Sequence, residues 1–219
     1  MSHKQFVIKR RALLRLATTA FGAAAIPWQG AGAETSADTL AMAPIQQLDD
    51  ALLAAMKAGG TASFDQRYRA LAPVIEQVFN LDGVLAASIG LSWATLPDAE
   101  KSALAAAFRR YTVSSYVTSF NSYNGQNFQV LPAVHAIPNG EVLVGSRLMR
   151  ADGSSISLDY VMRRGSTGWH AVDVLTDGSI SRVAVQRSDF RSLLNTGGTP
   201  ALLAGLEHKV ANLSGGDLG

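Results

Sequence analysis

From Glu141 to Phe190 apolar and polar residues alternate, and the alternation is cut by Asn139-Gly140, Asp152-Gly153, the loop from Gly165 to Gly168, and Asp177-Gly178. Pairs of this kind supply the positive φ that tight turns need, so the rhythm predicts an antiparallel meander. Val142, Val144 and Leu148 share one face of the first piece. Ile156, Leu158, Tyr160 and Met162 share one face of the next, with Ser157, Asp159 and Arg163 opposite. A sheet that is apolar on one side has to be covered. Phe128 to His135 adds a strand ahead of these. Pro132 marks it as an edge or a bulge, because proline cannot donate to a ladder.

Before the strands the period is helical. Leu48, Leu52 and Met56 stand one turn apart in a helix predicted over about 40–57 and stopped by Gly59-Gly60. Phe64, Tyr68, Leu71, Ile75 and Phe79 form the buried face of a second helix, with a kink or restart expected near Ala72 because Pro73 lacks an N–H. Leu81 to Trp93 is a third, weakened by Gly90. Thr95, Pro97 and Glu100 open a fourth, expected to run to Tyr123 with Leu104, Phe108, Tyr111, Tyr116 and Phe120 on one stripe and a bend at Thr112 to Ser115. After the strands, Ser188 is expected to cap a helix, and Gly197-Gly198 to separate it from a last one over Pro200 to Val210. Residues 213–219 read as a disordered tail.

Length and composition make this one α+β domain: 219 residues, 47% hydrophobic and 16% charged. The formal net charge of +2 is misleading, because five of the nineteen basic residues (Lys4, Lys9, Arg10, Arg11 and Arg15) precede position 34 and no acid does. Residues 1–33 read as an export signal: basic residues, an apolar run from Ala12 to Ile26, then the small-residue site Ala31-Gly32-Ala33. Arg10-Arg11 followed by Ala12-Leu13-Leu14 is similar to a twin-arginine motif. Without that segment the balance is 14 basic against 17 acidic residues, a net −3, and no basic stripe is left to follow a nucleic acid. The chain has no cysteine, which excludes disulfides and thiolate metal sites. The expected place of the domain, 34–212, is the periplasm.

Candidate chemistry is sparse. His3, His135, His170 and His208 show no metal spacing, and neither a G-x-S-x-G nor a phosphate-binding glycine loop occurs, so no cofactor or metal is expected. Asp159 falls among the outward polar positions of its strand. Asp173 stands in Trp169-His170-Ala171-Val172-Asp173-Val174-Leu175, where both faces carry apolar residues and the alternation does not assign it a side. It is either a cavity acid able to work as a general base or a structural acid paired with Arg147, Arg163 or Arg182. The aromatic stripes are likewise open to two readings, plain core or the wall of a lipid cavity.

Several strings taken together resemble the MlaC or toluene-tolerance family of periplasmic lipid-binding proteins: Tyr68, Leu71-Ala72-Pro73-Val74, Val78-Phe79-Asn80, Phe108-Arg109-Arg110-Tyr111, Phe120-Asn121-Ser122-Tyr123-Asn124-Gly125-Gln126, Asp159-Tyr160, Gly168-Trp169, and Arg187-Ser188-Asp189-Phe190. They keep the family's order over about residues 40–212. Phe120 ahead of Tyr123-Asn124-Gly125, with Asp177-Gly178-Ser179-Ile180-Ser181, resembles the hopanoid-associated HpnM branch. Asn80 stands where the family usually has Asp. The resemblance implies an NTF2-like, MlaC-like fold: a curved antiparallel sheet of about four to five strands wrapped by helices around an apolar cavity. It also implies a monomeric, non-catalytic carrier of a hopanoid or phospholipid between an inner-membrane transporter of the ABC type and the outer membrane. The residues expected to line the pocket are Phe79, Trp93, Phe108, Tyr116, Phe120, Leu158, Tyr160, Met162, Trp169 and Val174. Two rivals follow from the same residues: an isomerase- or dehydratase-type enzyme using Asp173 with Tyr160 or His170, and a ligand-free adaptor of a transport complex.

Overall fold

The computed structural model describes residues 31–218, with side chains from residue 39. The segment read as an export signal lies outside the described residues except for 31–33, which open the first helix. Helices α1 (Ala31–Ala58), α2 (Phe64–Val78), α3 (Leu81–Ile89) and α4 (Asp98–Ser119) precede strands β1 (Asn127–Ile137), β2 (Glu141–Met149), β3 (Ser155–Gly165), β4 (Gly168–Thr176) and β5 (Ile180–Ser181). Helix α5 (Arg182–Ser214) closes the chain, and a 3₁₀ turn, Gly90–Thr95, joins α3 to α4.

The five strands form one antiparallel sheet in chain order, the expected meander. Turn chemistry sets its register: Asn139 and Gly140 take φ of 68° and 73°, and Asp177 and Gly178 take 50° and 74°, the left-handed region those residues tolerate. Val142 pairs with Met162, Val144 with Tyr160, Ser146 with Leu158 and Leu148 with Ile156, which puts all eight on one face. β1 is an edge strand, and its register shifts between Val130 and Val134, around Pro132. A second shift falls between Val161 and Met162 of β3, where β4 carries one extra residue.

The covered face meets α1 and α2 at one end, and Ile45, Leu48, Leu52, Leu71 and Ile75 are fully buried there. α2 starts from a capping box in which Ser63 and Gln66 exchange bonds, and it runs through Pro73 to Val78 without the expected restart. Its end is tied to the sheet, where the Asn80 N–H donates to the Ala171 carbonyl at 3.0 Å. The Asn80 side chain then caps α3 by accepting from the Gly83 N–H at 2.9 Å.

Four boundaries differ from the sequence expectation. α1 is already helical at Ala31, the first described residue, ahead of the expected start near Leu40. The third helix ends at Ile89, because Gly90 adopts a φ of 81°. α4 continues as helix through Thr112 to Ser115 but stops at Ser119, with Phe120 as its cap. α5 starts at Arg182, not Ser188: the Ser181 hydroxyl accepts from the Ala184 N–H at 3.0 Å. Gly197 and Gly198 do interrupt α5, with non-helical dihedrals at both. The helix extends to Ser214, which is buried.

Candidate functional site

Between the covered face of the sheet and helices α3, α4 and α5 lies a cavity of about 390 Å³. The sheet contributes Leu148 from β2, Ile156, Leu158 and Tyr160 from β3, and Val174 from β4. These meet because Val174 pairs with Tyr160 as the β3 residues pair with β2. α4 contributes Phe108, Tyr111 and Tyr116, and its cap residue Phe120 lies at the same wall. Phe79 enters from the end of α2, and Leu81 and Val84 from α3.

The aromatic wall is continuous. Phe79 lies 5.7 Å from Tyr116 and 6.4 Å from Tyr160, ring centre to ring centre, and Tyr116 stacks on Phe120 at 5.9 Å. Phe120 passes the contact on to Phe128 at 5.9 Å, while Phe108 meets Phe190 edge-on at 6.1 Å. Such offset and edge-to-face pairs hold the rings in place, so the wall is firm.

Seven of the ten residues expected at the pocket therefore line this cavity: Phe79, Phe108, Tyr116, Phe120, Leu158, Tyr160 and Val174. The other three do not border it. Met162 is fully buried and faces Val142 and Ala171, in solid core. Trp169 stands at the start of β4 opposite Arg164, and Trp93 sits half-buried in the 3₁₀ turn. Both pack against the margin of the core rather than the cavity.

Of the polar members of the wall, sequence reasoning named Asp173 as a candidate acid and Arg182 only as a possible partner for it. Thr112, Ser115 and Ser119 follow one face of α4, and Arg182 and Gln186 come from the first turns of α5. The Thr112 Oγ1 is buried and has no hydrogen-bond partner. A hydroxylated run interrupting an apolar helix stripe is the signal that marks such a seam, and here Thr112 and Ser115 lie on a helical face at the cavity.

Asp173 does border the cavity, but its carboxylate is engaged elsewhere. Oδ1 accepts from the N–H groups of Val174 at 2.8 Å and Val183 at 3.0 Å, and Oδ2 accepts from the Ser181 hydroxyl at 2.5 Å. It is an anchor for the start of α5, and no arginine among the described residues forms an ion pair with it. His170 is held between the Thr167 hydroxyl at 2.8 Å and the Gln77 carbonyl at 3.0 Å, away from the cavity wall.

A second buried acid lies behind the wall. Asp49 of α1 is 3% exposed; its Oδ2 accepts from the Ser146 hydroxyl at 2.6 Å, and its Oδ1 has no partner. Burial pushes its pKa up to about 7, the Ser146 bond pulls it back in part, and Asp50 adds to the rise. The same dry setting holds the Tyr160 phenol well above its ordinary range, with Tyr116 and Asp49 adding to the effect. Tyr116 is raised as well, by burial first, against the opposing pull of the nearby Arg182 cation.

A family model described as MlaC protein matches residues 46–208. The chain belongs to the MlaC family. Among solved structures, the MlaC fold seen here resembles that of a phospholipid-binding protein from Ralstonia solanacearum in complex with a phospholipid. The TM-score is 0.68 at 17% identity, over 80% of this chain and 98% of that one. No curated protein matches the chain. Among the described residues, no helix of this MlaC protein is long and apolar enough to cross a membrane.

Proposed function

We propose that this protein is a periplasmic lipid carrier that takes the apolar part of one hopanoid or phospholipid into the cavity and moves it between an inner-membrane transporter and the outer membrane. The observation that carries the reading is the cavity itself: about 390 Å³, walled by interlocked aromatic and aliphatic side chains, within the ~300–1,000 Å³ range of ligand pockets. Each buried methylene is worth about 0.8 kcal/mol, so a sixteen-carbon tail costs on the order of 12 kcal/mol to bring into water. A lipid therefore does not cross an aqueous gap alone at a useful rate, and a hollow protein removes that barrier. The phospholipid held by the Ralstonia solanacearum relative supports the same use of the fold.

Family and wall chemistry favour a binding protein over an enzyme. Asp173, the candidate base, has both oxygens committed to the start of α5, and a general base needs a free lone pair facing its substrate. The test is organic extraction of the purified protein followed by mass spectrometry. Near-stoichiometric lipid, exchanged on incubation with vesicles, is the expected result. A protein that carries none and acquires none would overturn the carrier in favour of the ligand-free adaptor.

A further inference from the structure

Two polar hollows of about 340 Å³ each share wall residues with the apolar cavity, and their charges differ. The first shares Phe79 and Leu81 with the cavity and contains Glu76, Asp82 and Arg109. Its one arginine already faces Glu76 at 3.8 Å, so it offers an anion a net negative setting. The second, between α4 and α5, shares Tyr111, Ser115, Ser119 and Arg182 with the cavity and adds Lys209; no acid lines it. Lys209 lies 5.4 Å over the Tyr111 ring and 3.4 Å from Asp189, so its charge is partly spent. Arg182 is different. It is exposed, borders both spaces, and makes no hydrogen bond or ion pair among the described residues. Asp173, the acid on the cavity wall, accepts three hydrogen bonds, two of them from backbone N–H groups, and leaves this guanidinium unmatched.

The geometry points to Arg182 as the residue that receives the phosphate of a bound phospholipid, with the head in the α4–α5 hollow and the tail in the apolar cavity. This rests on the carrier reading above and adds a preference to it: a lipid with an anionic phosphodiester head is taken ahead of a neutral one with the same tails. A guanidinium offers a planar fork of donors that matches a phosphate, and charge-assisted bonds of this kind are the stronger class. The seam Thr112, Ser115 and Ser119 runs from cavity to hollow along α4, with the unpartnered Thr112 hydroxyl at the cavity end. It gives the ester region of a lipid a polar path between the two spaces.

The experiment incubates lipid-free full-length protein with vesicles holding equal amounts of phosphatidylglycerol and diacylglycerol of matched chains, then quantifies the lipid extracted from the re-isolated protein. Wild type should recover phosphatidylglycerol over diacylglycerol by about tenfold, the ratio that one modest charge-assisted contact supplies. Arg182→Gln should bring that ratio to about one, and Arg182→Lys, which keeps the charge but not the planar fork, should retain only part of the preference. An unchanged ratio in Arg182→Gln overturns the assignment while leaving the carrier standing. Wild type that recovers neither lipid overturns the carrier, and the assignment with it. Inorganic phosphate titrated alone into lipid-free wild type should not saturate; saturation lost in Arg182→Gln would make this a free-anion site instead and overturn the lipid assignment.

Discussion

Asp49 places a carboxyl in the interface between α1 and the sheet, where it accepts from the Ser146 hydroxyl and, among the described residues, forms no ion pair. With a folded pKa of about 7 against an ordinary 3.8, the native state keeps its proton longer than the unfolded chain does. Stability from this group is complete below about pH 4 and is lost as pH rises toward 7, by at most about 1.4 kcal/mol per pH unit. Asp49→Asn keeps an acceptor for Ser146 and carries no charge. Urea melts at pH 5.5 and pH 8 should show a steep pH dependence in wild type and a shallow one in the variant, which should be more stable at pH 8 by about 1–3 kcal/mol. The residue was readable in principle: it follows Leu48 and precedes Leu52 by three, on the stripe that packs inward. The ordinary assumption that an acid on a helix is solvated hides it. Gly59 shows the opposite case. The sequence marks it as a helix stop, but a Cβ there would lie 1.8 Å from the Asn121 carbonyl oxygen, so the glycine also lets α1 pass close to the α4–β1 connection.

At the level of elements, strand rhythm and turn pairs were legible because period two and positive φ leave direct traces in sequence. Where the alternation loses its phase, the cause is physical. β4 carries an extra residue against the Val161 to Met162 step of β3, so residues on the two sides of that bulge follow different phases, and Asp173 lies beside it. Helix ends were less legible for a different reason. The start of α5 is set by Ser181 and by a carboxylate eight residues upstream in another strand, a tertiary cap that no local pattern contains. Asp173→Asn should loosen that start and lower stability by about 1 kcal/mol. Lipid recovered on extraction should stay unchanged. Loss of lipid at unaltered stability would bring the enzyme-like reading of this acid back.

Across the whole molecule, hollow and core are continuous, and the sequence does not separate them: Tyr160 and Met162 alternate on one face of one strand, yet Tyr160 borders the cavity and Met162 is sealed beneath it. Apolar periodicity reports which face is covered but carries no information on the distance to the cover, so Trp93 and Trp169 read as equally good wall residues. The cavity can be closed from its own wall. Val174→Trp adds bulk opposite Tyr160, where space exists, and should lower recovered lipid at least about tenfold while the melting temperature of the lipid-free protein holds or rises. Retention of full lipid occupancy in that variant would place the ligand elsewhere.

The ends of the sheet carry a consequence of their own. A protein built to hold oil in water runs the risk that its copies join strand to strand, and an unpaired ladder is the usual invitation. In this chain one margin is β1, whose donors are broken by Pro132 and whose register jumps between Val130 and Val134; the other is β4, paired with the two-residue β5 at Leu175 and Thr176, bridged by Phe79 at Ala171 and broken by its own bulge. Neither margin offers a long even row of backbone donors and acceptors to a newcomer, which lets the chain tolerate crowding while its interior stays available for cargo.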